Sequence, residues 1–316
     1  MPSYLITGAS RGLGYAWLKH LSSNPTNTVI GLVRNKAATE KRLAADNITN
    51  VLLVRADITD VKALHLAADE VSNITGGSLD VLINNAGISS QRSAFKTVVD
   101  LPPEVLEQDF MDSFKSNVVG VAHTINTFLP LIRKGEVKKV ITISSVLADM
   151  DTANRFAIDN AGPYAVSKAA VNLLVAKYHA AVGVAEGILF MSISPGVVST
   201  RETQQTEEEL KGRKAMGAKF KAYAPHFTGP TTPEESVRMQ LEVIDRATVE
   251  TYGGAVLKRD YLLVDVAYAN RRCMPLFVRV HVQQVKRILQ IWPWDEAYQD
   301  TIFQNGHATV KLSGHM

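Results

Sequence analysis

Along the first 257 positions, apolar residues fall in short unbroken runs. Between the runs lie longer stretches in which they recur every three or four residues. The runs are YLIT (4–7), TVIGLV (28–33), VLLVRA (51–56), VLIN (81–84), KVITIS (139–144) and ILFMSIS (188–194). Continuous Val/Ile/Leu runs of this length predict strands buried on both faces, as in a parallel sheet. Between them the period becomes helical, as with Leu13, Ala16, Trp17 and Leu21 in the first interval. Another helix is introduced by Gly162-Pro163 and carries Val166, Ala169, Ala170, Leu173 and Leu174. A further helix near TPEESV (232–237) and a last short strand over 254–257 close the series. This alternation predicts a doubly wound, mostly parallel α/β sheet of the Rossmann type, with residues 1–257 as one domain.

Residues 258–316 break the alternation and read as a C-terminal extension. FVRVHV alternates like a strand; Val285, Ile288, Leu289 and Trp292 then recur at helical spacing until Pro293 stops them. Such a stripe needs cover, and docking on the protein's own sheet or on a partner subunit is the expectation. The alternative is surface contact with a membrane through 271–292, helped by Arg271, Arg272, Arg279, Lys286 and Arg287.

The chain of 316 residues carries a net charge of only +3, and its bases are scattered, which argues against a nucleic-acid partner. One cysteine, Cys273, excludes an intrachain disulfide framework and suits a reducing compartment. MPSYLITGAS enters a strand-like run at once, without the pattern of a leader peptide. No apolar stretch approaches the roughly 18 residues of a membrane span. The expectation is a cytoplasmic protein. The eight histidines lack metal-ligand spacing, so no metal site is expected, and His123 and His179 read as helix-packing residues.

Chemistry enters at LITGASRGLGYA, which sets Gly8, Gly12 and Gly14 after the first strand and at the start of the first helix. Free N–H groups and partial positive charge at a helix N-terminus favour a phosphate, and glycine lets the backbone approach it. Strand, glycine loop and helix together predict dinucleotide binding. Tyr164 and Lys168 lie four positions apart, one turn along a helical face. That pair alone is weak: with nine Tyr and 34 Lys plus Arg, a Tyr with a base at one fixed offset arises about once by chance.

The order of motifs decides the matter. The loop Thr7-Gly8-Ala9-Ser10-Arg11-Gly12-Leu13-Gly14 resembles the T-G-x-x-x-G-x-G signature of the short-chain dehydrogenase/reductase family. NNAG (84–87), SNVVG (116–120), ITISSV (141–146), Tyr164-x-x-x-Lys168 and SPGVVST (194–200) follow in the family's order, across about four-fifths of the chain. The overall pattern, TPEESV included, is most similar to the fungal norsolorinic-acid-ketoreductase-like and carbonyl-reductase-like branches, which points to secondary metabolism.

The resemblance implies hydride transfer between a nicotinamide and a carbonyl or alcohol carbon. Tyr164 would give the proton to the carbonyl oxygen in reduction. Lys168 would lower the tyrosine pKa and hold the nicotinamide ribose. Ser145 would hydrogen-bond the substrate oxygen, with Ser144 as a structural hydroxyl, and Asn117 would hold a relay water. The gap from Ser145 to Tyr164 exceeds the family's by about six residues, which puts an insertion within 147–162. Cofactor contacts are implied for Gly8, Ser10, Arg11, Gly12, Leu13, Gly14, Arg34, Asp57, Ile58, Asn85, Ala86, Gly87, Tyr164, Lys168, Pro195, Gly196, Val198 and Thr200. Asp57 reads alternatively as a turn residue before a helix cap at Thr59.

After the second strand the chain reads Arg34-Asn35-Lys36 where an NAD-binding protein places an acid, and Arg11 sits in the glycine loop. Guanidiniums suit a 2′-phosphate, so NADPH/NADP+ is the expected cofactor. The expected substrate is a small or medium-sized, fairly apolar ketone or aldehyde, with residues 201–230 as a mobile lid over it. The expected assembly is a homo-oligomer, dimer or tetramer. Two alternatives stand beside this reading: an alcohol dehydrogenase working in the oxidative direction, and a non-catalytic nucleotide-sensing scaffold.

Overall fold

A computed structural model describes residues 1–200, 206–224 and 227–257. The expectations for 258–316 lie outside the described residues, as do 201–205 and 225–226 of the lid segment. The chain begins with β1 (Ser3–Thr7), α1 (Gly12–Ser22), β2 (Thr28–Val33), α2 (Lys36–Ala45), β3 (Val51–Arg55), α3 (Val61–Thr75) and β4 (Val81–Asn84). Next come α4 (Pro103–Phe114), a π-helical turn (Lys115–Val119), α5 (Gly120–Ile132), β5 (Lys139–Ile143), α6 (Met150–Phe156) and α7 (Gly162–Tyr178). A second π turn (His179–Gly183), α8 (Val184–Glu186), β6 (Leu189–Ile193), α9 (Glu207–Tyr223), α10 (Pro233–Arg246), α11 (Val249–Tyr252) and β7 (Val256–Leu257) complete it.

Among the described residues, seven strands form one parallel sheet in the order β3-β2-β1-β4-β5-β6-β7. Each apolar run became a strand because both faces of the sheet are covered. One face packs against a cluster containing Trp17, Leu18, Leu21, Val237, Val243 and Ile244 from α1 and α10. The other packs against Leu64, Val71, Ile125, Phe128, Val171 and Val175 from α3, α5 and α7. Truncating a fully buried ring such as Phe128 to Ala is expected to cost about 3–5 kcal/mol.

Two local expectations are corrected. The cap of α3 is Asp60, not Thr59: its carboxylate accepts from the Ala63 amide, while Thr59 gives both its N–H and hydroxyl to Asp57. The carboxylate three residues before Ala63 was the better placed acceptor. The last strand begins at Val256 rather than Gly254, because Gly254 adopts φ +72° and its N–H donates to Phe190 O. His179 packs among the backbones of Gly183, Gly253 and Gly254, where any Cβ would meet its ring at 2.2–3.0 Å.

The strand order reverses direction between β1 and β4. In open parallel sheets the crevice beyond the carboxyl ends of such a strand pair is where ligands bind. Thr7 and Asn84 end those two strands, so the glycine loop and the NNAG segment meet there.

Candidate active site

The crevice is walled by backbone. The Thr7 hydroxyl oxygen accepts from the Asn85 and Ala86 amides, both at 3.0 Å, and the Asn85 side chain donates back to Thr7 O (2.9 Å) and Gly8 O (3.2 Å). This lattice leaves no room for side chains in the glycine loop. A Cβ at Gly14 would sit 2.3 Å from Gly8 O, and one at Gly8 2.8 Å from the Ala86 Cα. Gly12 has φ +54°, and a Cβ there would come 3.1 Å from the Thr200 side chain, so the segment following β6 lies over the loop. Arg11 makes no side-chain cap on α1, whose first amides therefore point into the crevice. These features fit a dinucleotide phosphate.

The crevice opens into a cavity of about 1300 Å³, larger than the 300–1,000 Å³ usual for one small ligand. Of the residues implied by resemblance, Gly8, Ser10, Arg11, Gly12, Leu13, Gly14, Arg34, Asp57, Ile58, Asn85, Ala86, Gly87, Tyr164, Val198 and Thr200 line it. Asn117, Ser145, Lys168, Pro195 and Gly196 stand behind or beside that lining. Pro195 and Gly196 shape the turn after β6: Gly196 has φ +79° and Pro195 O accepts from Ser236 Oγ at 2.8 Å. Asp57 is spent on Thr59 and faces Arg34 at 3.8 Å, which with those hydrogen bonds holds its carboxyl below the usual range despite desolvation.

Tyr164 enters the cavity because α7 starts sharply. Ala161 takes the left-handed conformation (φ 55°), and Pro163 holds the first turn. One turn on, Lys168 is buried and donates from Nζ to Ile143 O, at the end of β5, at 2.7 Å. Its ammonium lies 5.8 Å from the centre of the Tyr164 ring. Ser145, just past β5, lies beside the Tyr164 phenol, and its Oγ accepts from the Leu147 amide at 3.2 Å. Ser144 is buried apart, its hydroxyl without a partner among the described residues. The stretch between Ser145 and Tyr164 contains α6.

Burial, rather than the neighbouring ammonium, dominates both titrations. It pushes the Lys168 ammonium down to about 8 and lifts the Tyr164 phenol above its ordinary value, with the Ser145 hydroxyl pulling the other way. The lowered tyrosine pKa expected from the Tyr-Lys spacing is therefore not what this arrangement gives. The ammonium directs its proton at Ile143 O.

Asn117 lies within the π turn between α4 and α5 and is completely buried. Its Oδ1 accepts from the Ile88 amide at 2.8 Å, and its Nδ2 donates to Ile88 O and to Ser167 Oγ, both at 2.9 Å. The side chain is thus a clamp between the segment after β4 and α7. A Cβ on Gly87 would come 3.0 Å from Asn117 Oδ1 and 3.4 Å from Lys168 Nζ, so glycine there lets both approach. Sequence reasoning missed Ser167, which bridges Asn117 to Tyr164 O (2.7 Å); its only signal was its place beside the lysine. It also missed the buried Asp109, which pairs with Arg92 and so fastens the segment after Ile88 to α4.

Further walls come from Ser89, Gln91, Ala94 and Phe95, from Asp112, Lys115 and Ser116, from Leu147, and from α9 with Phe227 and Pro230. Among the described residues no cluster of His, Cys, Asp and Glu could hold a metal ion, and no helix is long and apolar enough to cross a membrane.

Comparison with known proteins agrees with this arrangement. The family described as short chain dehydrogenase matches residues 3–211. A short-chain dehydrogenase/reductase of Aspergillus aculeatus, AacuF, is 66% identical over 255 residues, covering 81% of this chain and 96% of the relative. The short chain dehydrogenase virK of Hypocrea virens is 44% identical over 259 residues, 80% of this chain and 95% of its own. In fold, the chain is similar to the NADPH-bound carbonyl reductase from chicken fatty liver (TM-score 0.64, 24% identity, 82% of this chain and 97% of that one). It is likewise similar to the carbonyl reductase Sniffer of D. melanogaster (TM-score 0.65, 23% identity, again 82% and 97%). With the glycine cradle, the Tyr164–Lys168 turn and this match in hand, the chain belongs to the short-chain dehydrogenase/reductase family.

Proposed function

We propose that this oxidoreductase is an NADPH-dependent carbonyl reductase that turns the ketone or aldehyde group of a metabolite into an alcohol. The observation that carries the reading is that Tyr164, with Ser145 beside it, lines the same cavity as the glycine cradle. Bound NADPH supplies the hydride. The protein's own residues must orient the carbonyl and deliver a proton to its oxygen. Ser145 and the phenol both address that oxygen. Tyr164, which lines the cavity, gives its proton as negative charge develops on the oxygen, which is then far more basic than a phenolate. The Lys168 ammonium, held against Ile143 O at the back of the cavity, stabilises the phenolate left behind.

The choice of NADPH over NADH is supported by Arg11 and Arg34, which line the same cavity and are both exposed for contact with a 2′-phosphate. The acid after β3, Asp57, already faces Arg34. Resemblance to the fungal branch supports a place in secondary metabolism.

The test is oxidation of NADPH by the purified protein, followed optically across a panel of ketones and aldehydes, with NADH in parallel. Consumption of NADPH with stoichiometric alcohol is expected. Cofactor binding without turnover of any carbonyl would favour the nucleotide-sensing alternative.

A further inference from the structure

The segment from Pro195 to Thr200 reaches the cavity from the side away from Arg34. It leaves β6, four strand positions from β2 along the sheet, and its Val197, Val198 and Thr200 line the cavity. At about 4.8 Å per strand that separation is roughly 19 Å. Arg34 and Asp57 follow β2 and β3. A dinucleotide lying along the crevice therefore has its adenosine half there and its nicotinamide half beside the ends of β5 and β6, where Ser145 and Tyr164 stand.

The segment lies outside regular helix and strand and is strapped down by residues 231–240. Thr231 gives its N–H and its hydroxyl to Val197 O, at 2.9 and 3.3 Å, and its own carbonyl accepts the Ser199 N–H at 2.9 Å. Ser236 Oγ donates to Pro195 O at 2.8 Å, and Gln240 Nε2 donates to Ser236 Oγ at 3.0 Å and Ser236 O at 3.2 Å. The proton order is forced. Both carbonyl oxygens can only accept, so the amide nitrogen must face Ser236, and the serine hydroxyl must give its proton to Pro195. Proline has no N–H, so its carbonyl is the backbone group by which the turn at Gly196 (φ +79°) can be held.

Packing alone does not explain these residues. Ser236 and Gln240 are 0% and 1% exposed and one turn apart on α10, whose other buried members, Val237, Val243 and Ile244, belong to the apolar core. Gln240 Oε1 has no partner among the described residues. A hydroxyl and an amide buried here are less favourable than aliphatic side chains of similar size. What the pair achieves is the placement of one carbonyl beside the cavity.

We infer that Gln240, Ser236 and Thr231 are positioning residues for the nicotinamide half of the cofactor. They set the height of residues 195–200 over the crevice, with Gln240 acting through Ser236. This rests on the NADPH reading and deepens it.

The test measures, by calorimetry on the full chain, the binding of NADP+ and of 2′,5′-ADP, which carries the adenosine half alone. Ser236→Ala and Gln240→Met remove the two side-chain links in turn with little change of volume. Each is expected to weaken NADP+ binding about three- to tenfold, as loss of one buried hydrogen bond would, with 2′,5′-ADP bound as in the wild type. Because the links act in series, the double variant should lose no more than Ser236→Ala does. Unchanged NADP+ affinity in both single variants would overturn the inference. Equal weakening of NADP+ and 2′,5′-ADP, the mark of a merely structural role, would do the same, as would losses that add in the double variant. Should Ser236→Ala fail to fold, the same split between the two ligands is required of Gln240→Met and Thr231→Val. A wild type that prefers NAD+ would dismiss the NADPH reading alone, and the inference is then decided by the same split between NAD+ and AMP.

Discussion

The two ends of the cavity are built on different principles. The cradle formed by β1, α1 and the NNAG segment is made of backbone: its hydrogen bonds join Thr7, Gly8, Asn85 and Ala86, and an added Cβ at Gly14 or Gly8 would collide with main-chain atoms. The opposite wall is made of side chains from segments distant in sequence, such as Asp159 with Lys219, sixty positions apart. Backbone cannot vary without changing the fold, whereas rings and charges can be exchanged one at a time. A binding site for an invariant cofactor suits the first kind of construction, and a substrate pocket suits the second.

This contrast can be broken by substitution, and the chemical centre between the two ends gives the largest effect. Tyr164→Phe removes the proposed proton donor and should lower kcat by about 10²–10⁴ or more while NADPH still binds. Near-normal turnover in a stopped assay would remove Tyr164 from its role.

The buried lysine comes next, through pH. Its folded pKa of about 8 lies below the ordinary 10.5, so the unfolded chain holds more protons between those values. Stability should therefore rise with pH across that window as the cost of burying the ammonium disappears. Relative to Lys168→Met, the wild type should gain on the order of 3 kcal/mol between pH 7 and 10.5, since one pKa unit is about 1.4 kcal/mol. Parallel denaturation curves for the two proteins at both pH values would contradict the burial of the charge.

At the backbone end, Gly14→Ala puts a methyl group 2.3 Å from Gly8 O. Strain in a packed position costs about 1–3 kcal/mol. NADPH affinity should drop about tenfold or more, for every substrate alike. Arg34→Asp, at the rim of the same end, should shift preference from NADPH toward NADH by about tenfold, through phosphate repulsion and a new acceptor for the ribose hydroxyl. An unchanged ratio of kcat/KM for the two cofactors would dismiss Arg34 as the phosphate contact.

The smallest effect belongs to the side-chain wall. Asp159→Asn breaks a partly exposed pair and should cost at most about 1 kcal/mol in a melting experiment. Its mark should be a substrate-dependent change in KM with the KM for NADPH constant. A large, substrate-independent loss would show that this wall is as rigid as the cradle and erase the distinction.

The sequence by itself determined the sheet, its covering helices, and the order in which the motifs reach the crevice. Strand and helix periods are local properties, and continuous apolar runs have one low-energy use in a chain of this size, burial on both faces. The glycine spacing was legible for the same reason: it encodes backbone geometry, which covalent neighbours largely set. Tertiary structure decided the rest. It spent the Asn117 amide on Ile88 and Ser167, three points brought together from separate segments. It let desolvation override the expected pull of Lys168 on Tyr164, because the ammonium was aimed at Ile143 O. It also set α6 before Tyr164, where Phe156, with Asp159 just beyond, braces α9. Such outcomes depend on distances between side chains remote in sequence and on the dielectric around them, and neither is written in the spacing of residues along the chain.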